Sequence, residues 1–175
     1  SRYRVICTLP RESQTMRDFI GGYADEILVC RYNTWSNGKV DAADVAVFVE
    51  LIRSRQVDLV HANTITMLAP LVAARAAGVP GVVYLRETID RDPALAKTIG
   101  FKPATIATVI DALADYTIGC SASVAGVYRS GARCFVQHNC IDTLAVDPSA
   151  PQVGATVRFG MASSNLVKKD RKSVV

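Results

Sequence analysis

Short apolar runs, many of them β-branched, alternate along this chain with longer segments whose apolar positions recur at helical spacing. The runs Arg4–Leu9, Glu26–Arg31, Leu59–Ala62, Val82–Leu85, Tyr116–Cys120, Cys134–Gln137 and Thr156–Met161 predict strands. Between them, Ala42–Arg55 places Val45, Val47, Phe48, Leu51 and Ile52 on one helical face. Thr64–Ala77 predicts a second helix that stops at Gly78, with Pro80 beyond. Ala104–Ala114, Ser121–Arg129 and the shorter Gln14–Ile20 complete the helical set. Strand and helix in regular alternation predict an α/β fold, a parallel sheet with helices on both faces. Glu87–Lys102, with its charges, Pro93 and Gly100, predicts a long loop or a loop holding a short helix.

In such sheets chemistry gathers at the carboxyl ends of strands, beside helix N-termini. His61, Asn63 and Thr64 fall there after one strand, Arg86 and Glu87 after the next, and Ser121 after the one beyond. Each also has a plain reading. His61 suits a core histidine bonded to neighbouring backbone, and Asn63, Thr64 and Ser121 suit helix caps. Arg86 and Glu87 suit a surface ion pair. Both readings stand at this stage.

Composition narrows the picture. Half of the 175 residues are hydrophobic, enough for a real core. Lys168, Lys169, Arg171 and Lys172, offset by Asp170, supply +3 of the net charge of +4. The basic character is therefore one local patch, which argues against a nucleic-acid partner. The five cysteines include no CxxC pair, so a zinc site or disulfide framework is not expected, and a reducing, cytoplasmic compartment is. Neither a signal peptide nor an apolar run of membrane length is present. Asp142–Ala155, with Pro148, Pro151 and Gly154, has linker composition. The expected organisation is a domain over 1–145, a linker over 146–155 and the start of a second domain over 156–175.

Dinucleotide and P-loop signatures are absent, as are HExxH and GxSxG. What the chain holds is an ordered series: "DLVHANT", "AAGVPGVVYLRE", "ADYTIGCSASVAGVYR", "VQHNCID" and "VRFGMASSNLVKKDRK". This series resembles the family-4 glycosyltransferases of the GT-B fold, from Val57 to Lys172. The resemblance implies a Rossmann-like acceptor-side domain followed by a donor-binding domain across a cleft. It also implies transfer of a sugar from a UDP- or GDP-sugar to a glycan or lipid-linked acceptor, with retention of configuration and without a metal or other cofactor. Polar strand ends would face the substrates while the strands behind them stay buried. His61, Asn63, Thr64, Tyr84, Arg86, Glu87, Ser121 and Asn139 match the acceptor and cleft positions. Gly160, Ser163, Ser164, Lys168 and Lys169 match the donor-phosphate positions, Lys169 foremost. There, backbone N–H groups and a positive side chain would stabilise the leaving phosphate.

This chain departs from the family pattern at several places. Where relatives carry a histidine near one strand end, Tyr84 and Arg86 stand closest. Cys140 replaces a hinge glycine, and Met161 an arginine. The family's acidic E-x7-E motif would lie beyond Val175, and its first strand before Ser1. The expectation is therefore a fragment without transfer activity of its own. The strands at Arg4–Leu9 and Leu59–Ala62 would each lack the neighbour that the family's first strand supplies. Thr156–Met161 or a second copy of the chain, as a strand-paired oligomer, would fill that place. The alternatives are a non-catalytic GT-B-like module that binds a glycan or a partner, and a sugar-nucleotide epimerase of the same architecture. Cytoplasmic location, with peripheral membrane association of the full enzyme left open, completes the expectation.

Overall fold

A computed structural model describes residues 3–128 and 133–140. Two compact units divide the chain, Ser1–His138 and Asn139–Val175. Of the second, only Asn139 and Cys140 are described, both exposed and without regular secondary structure. The linker over 146–155, the strand expected at Thr156–Met161 and the donor-phosphate residues Gly160, Ser163, Ser164, Lys168 and Lys169 lie outside the described residues.

The first unit is α/β, with all of its ladders parallel, as the alternating pattern predicts. Its order is β1 (Ile6–Leu9), α1 (Gln14–Ile20), β2 (Glu26–Val29), α2 (Ala42–Ser54), β3 (Val60–Ala62), α3 (Leu68–Ala77), β4 (Gly81–Leu85), a 3₁₀ turn (Ile89–Arg91), α4 (Pro93–Ile99), α5 (Pro103–Leu113), β5 (Tyr116–Gly119), α6 (Ala122–Tyr128) and β6 (Cys134–Val136). The strands form two sheets, β1-β2 and β3-β4-β5-β6. Ile6 pairs with Glu26 in the first, and His61 with Val82, Tyr84 with Ile118 and Ile118 with Phe135 in the second.

Register and packing together assign the faces of the larger sheet. Val83 and Leu85 of β4 are fully buried, in one cluster with Leu71 of α3, Ile106 and Ile110 of α5, and Val124 and Tyr128 of α6. A Cβ at Gly81 would meet Leu71 and Ala74 of α3, and one at Gly119 would press on Ala125 of α6 at 2.8 Å. Thus α3, α5 and α6 share one face, and α2 lies against α3 through Phe48 and Ile52 on Ala69 and Ala73. The other face carries His61, Val82, Tyr84, Tyr116, Ile118 and Phe135, of which His61, Tyr116 and Phe135 are exposed.

Local signals explain most boundaries. Asp41 caps α2 by accepting from the Ala43 N–H at 2.9 Å. Gly78, at φ 73°, closes α3. The segment Glu87–Lys102 takes the second of its expected forms, a loop holding a short helix, with a 3₁₀ turn before it. Asp92 accepts from the Leu95 N–H at 3.0 Å, Pro93 opens α4, and Gly100 ends it at φ 89°. The loop after β2 docks there: the Asn37 N–H donates to Thr98 and the Gly38 N–H to Ile99. Asn37 and Gly38 both take positive φ, as a tight two-residue turn requires. This turn delivers Trp35 into the main core.

Candidate functional site

Three neighbouring parallel strands bring Asn63, Arg86 and Ser121 to one edge. Asn63 follows β3, Arg86 follows β4 and Ser121 lies just past β5. Asn63 and Arg86 are exposed. Among the described residues the Arg86 guanidinium makes no ion pair or hydrogen bond, so the plain reading of a surface pair with Glu87 does not hold.

Glu87 turns inward to the β3 loop instead. Its Oε1 accepts from the Thr64 hydroxyl at 2.6 Å, and its Oε2 accepts from the Arg86 N–H at 3.2 Å and the Ile65 N–H at 3.4 Å. The Thr64 hydroxyl also lies 3.1 Å from that of Thr66 and accepts from the Thr66 N–H at 3.2 Å. A carboxylate with several donors is a strong local tie. It also corrects the expected start of the second helix. Thr64 is engaged by Glu87, so α3 begins four residues later, at Leu68, with no side-chain cap. From the other side, the Tyr128 hydroxyl donates to the Glu87 carbonyl at 2.9 Å. Burial, with Glu87 and Asp90 nearby, pushes the Tyr128 phenol far up, so it stays a donor. Nothing in the spacing of Tyr128 marks it for this role. Its place in the last turn of α6 decides it.

Ser121 has the capping role: its Oγ accepts from the Val124 N–H at 3.2 Å. His61 sits in β3 rather than beyond it, on the sheet face opposite α3. Its ring stands 6.5 Å from that of Tyr84, and lost hydration pushes its pKa down although solvent still reaches it. Tyr84 reaches over β5, and its hydroxyl donates to the Gln137 carbonyl at 3.2 Å. His61 and Tyr84 thus share a face, while Asn63, Arg86 and Ser121 share an edge. Asn139 belongs to the second unit.

The broad hollow of about 680 Å³ between α5, α6 and the 3₁₀ turn is lined by Asp90, Arg91, Thr108 and Ser123, among others, and by none of the strand-end residues. Its position does not coincide with the convergent polar groups. Among the described residues no cluster of His, Cys, Asp and Glu is arranged to hold a metal, and no helix is long and apolar enough to cross a membrane. The cysteines are free thiols, and burial raises the pKa of Cys7 and, with Asp44 adding to it, of Cys30, which disfavours their thiolate forms.

Comparison of the chain with protein-family models, curated proteins and solved structures finds no match.

Proposed function

We propose that this chain is the acceptor-side part of a retaining, nucleotide-sugar-dependent glycosyltransferase. One structural observation supports the reading beyond the sequence series: Asn63, Arg86 and Ser121 stand together at the carboxyl edge of β3, β4 and β5. That is where a doubly wound sheet presents ligand-binding groups. In this reading Arg86, unpaired among the described residues, holds an acceptor hydroxyl or the phosphate of a lipid-linked acceptor, and Asn63 adds an amide beside it. Glu87, Thr64 and Tyr128 are positioning residues that keep the two strand-end loops in register. The donor is a UDP- or GDP-sugar. Its diphosphate falls to Gly160, Ser163, Ser164, Lys168 and Lys169, with work on the cytoplasmic side of a membrane.

The commitment of Glu87 to Thr64 and to backbone donors favours one second reading. A strand-end edge with no carboxylate left for chemistry suits a module that binds a glycan or a partner without reacting.

A binding panel tests the main reading. Soluble oligosaccharides should bind the chain, UDP- and GDP-sugars should bind much more weakly, and Arg86→Ala should weaken oligosaccharide binding about tenfold or more, the loss of one charged hydrogen bond. Tight nucleotide-sugar binding that ignores Arg86→Ala would contradict it. Oligosaccharide binding without transfer by a polypeptide that adds a donor domain would favour the second reading.

A further inference from the structure

Asn37 and Gly38 are the one Asn–Gly pair of the chain. They occupy the two central places of a turn that Ser36 and Lys39 close, with φ of 50° and 68°. Asn37 is exposed, and the Gly38 nitrogen beside it has no side chain to shield it. The peptide bond between them is nevertheless clamped. The Asn37 N–H donates to the Thr98 carbonyl at 3.0 Å and the Gly38 N–H to the Ile99 carbonyl at 2.6 Å, both in the last turn of α4. Gly100 backs the same bond, since a Cβ there would stand 2.9 Å from the Gly38 N and 3.0 Å from the Asn37 carbonyl carbon. The Phe101 ring also lies on Gly38, 3.0 Å from where its Cβ would be, and 6.0 Å from the Trp35 ring.

We propose that Asn37–Gly38 is a self-modification site held dormant by α4, and that its conversion to isoaspartate frees the turn and unseats Trp35. In the reaction the Gly38 nitrogen attacks the Asn37 side-chain carbonyl carbon. The N–Cγ bond forms, the Cγ–Nδ2 bond breaks, and the Gly38 amide proton leaves with Nδ2 as ammonia. Water then opens the succinimide at either carbonyl, giving isoaspartate or aspartate, with no change of oxidation state. Attack needs the nitrogen aligned on Cγ at about 3–3.5 Å. The bond to Ile99 holds the proton that must leave, and both bonds to α4 hold the turn still, so the step waits on local opening. Isoaspartate lengthens the backbone by a methylene and adds a carboxylate, and a two-residue turn does not accommodate the longer backbone. The effect reaches the strand-end edge, because the Trp35 N–H donates to the Thr66 carbonyl at 2.8 Å, in the loop that carries Asn63 and Thr64. The site is independent of the glycosyltransferase reading.

The test incubates the full 175-residue chain in mildly alkaline buffer, folded and in denaturing urea, and follows Asn37 by peptide mapping that separates isoaspartate from aspartate. Conversion should be about tenfold or more slower in the folded chain, as local opening limits it. Phe101→Ala and Gly100→Ala, which loosen the clamp, should each speed conversion in buffer by about fivefold or more. Chain converted in urea and returned to buffer should show Trp35, the one tryptophan, emitting further to the red in proportion to its isoaspartate content. Asn37→Gly, which suits the turn and lacks the amide, should recover the folded emission after the same treatment. Equal conversion in the folded and the urea-unfolded chain would overturn the proposal, and that comparison needs no variant. So would Phe101→Ala and Gly100→Ala chains that convert no faster than the parent, or an isoaspartate-containing chain whose Trp35 emission matches that of Asn37→Gly.

Discussion

The Thr64 hydroxyl donates to the Glu87 carboxylate at 2.6 Å, joining loops that leave β3 and β4. The same carboxylate meets the Ile65 N–H, while the Glu87 carbonyl accepts from Tyr128. Through this one residue the β3 loop, the β4 loop and α6 are held in a fixed relation, and the exposed Asn63 and Arg86 keep their spacing.

Removing that carboxylate should cost stability first. Glu87→Ala leaves Thr64 and the Ile65 N–H without their acceptor and is expected to lower unfolding free energy by about 2 kcal/mol. Glu87→Gln, which keeps an acceptor, should lose less. Urea denaturation checks both, and equal stability of Glu87→Ala and the parent would show the tie to be idle.

Gly100 and Gly126 should respond in opposite directions. Gly100 takes φ 89°, and a Cβ there would stand 2.9 Å from the Gly38 N and 3.0 Å from Asn37 backbone. Gly100→Ala is expected to destabilise by about 1–3 kcal/mol and to loosen the turn that seats Trp35. Gly126 lies within α6 with nothing near a new Cβ, so Gly126→Ala should stabilise by about 0.5–1 kcal/mol. Thermal unfolding of the two variants reads both signs.

Thr117 is 1% exposed, and its hydroxyl has no hydrogen-bond partner among the described residues. Thr117→Val keeps the shape and removes a buried polar group, so it should leave stability unchanged or raise it by about 1 kcal/mol. A loss of that size would reveal a partner for the hydroxyl.

His61 gives a pH dependence. Its folded pKa lies below the ordinary 6.5 because the charged ring loses hydration. Between the folded value and 6.5 the unfolded chain binds more protons, so stability rises with pH there. The contribution is complete above 6.5 and is lost as pH falls through that window. NMR titration should show the His61 ring titrating lower than a free histidine, and His61→Gln should flatten the stability curve below 6.5.

Much of this architecture is legible in the sequence, and the exceptions have physical causes. The six strands in the first unit were readable within one or two residues because they are short, apolar and bounded by turn residues. The start of α3 was not, because a carboxylate from a later strand claims Thr64. The α4 helix was one of two readings of its segment, whose charge and proline prove to be its cap and first turn. Trp35 sits among polar residues, and only the Asn37–Gly38 turn, docked on α4, explains its burial. At the site, the placement of Asn63, Arg86 and Ser121 followed from strand ends alone. The inward turn of Glu87 did not, since it depends on partners distant in sequence.

The most direct measurement is a map of amide chemical shifts in this chain as a soluble oligosaccharide is added. The glycosyltransferase reading predicts shifts concentrated at Asn63, Arg86 and Ser121 and nearly abolished by Arg86→Ala. Shifts confined to the hollow lined by Asp90, Thr108 and Ser123, or none at concentrations where acceptors bind, would contradict it.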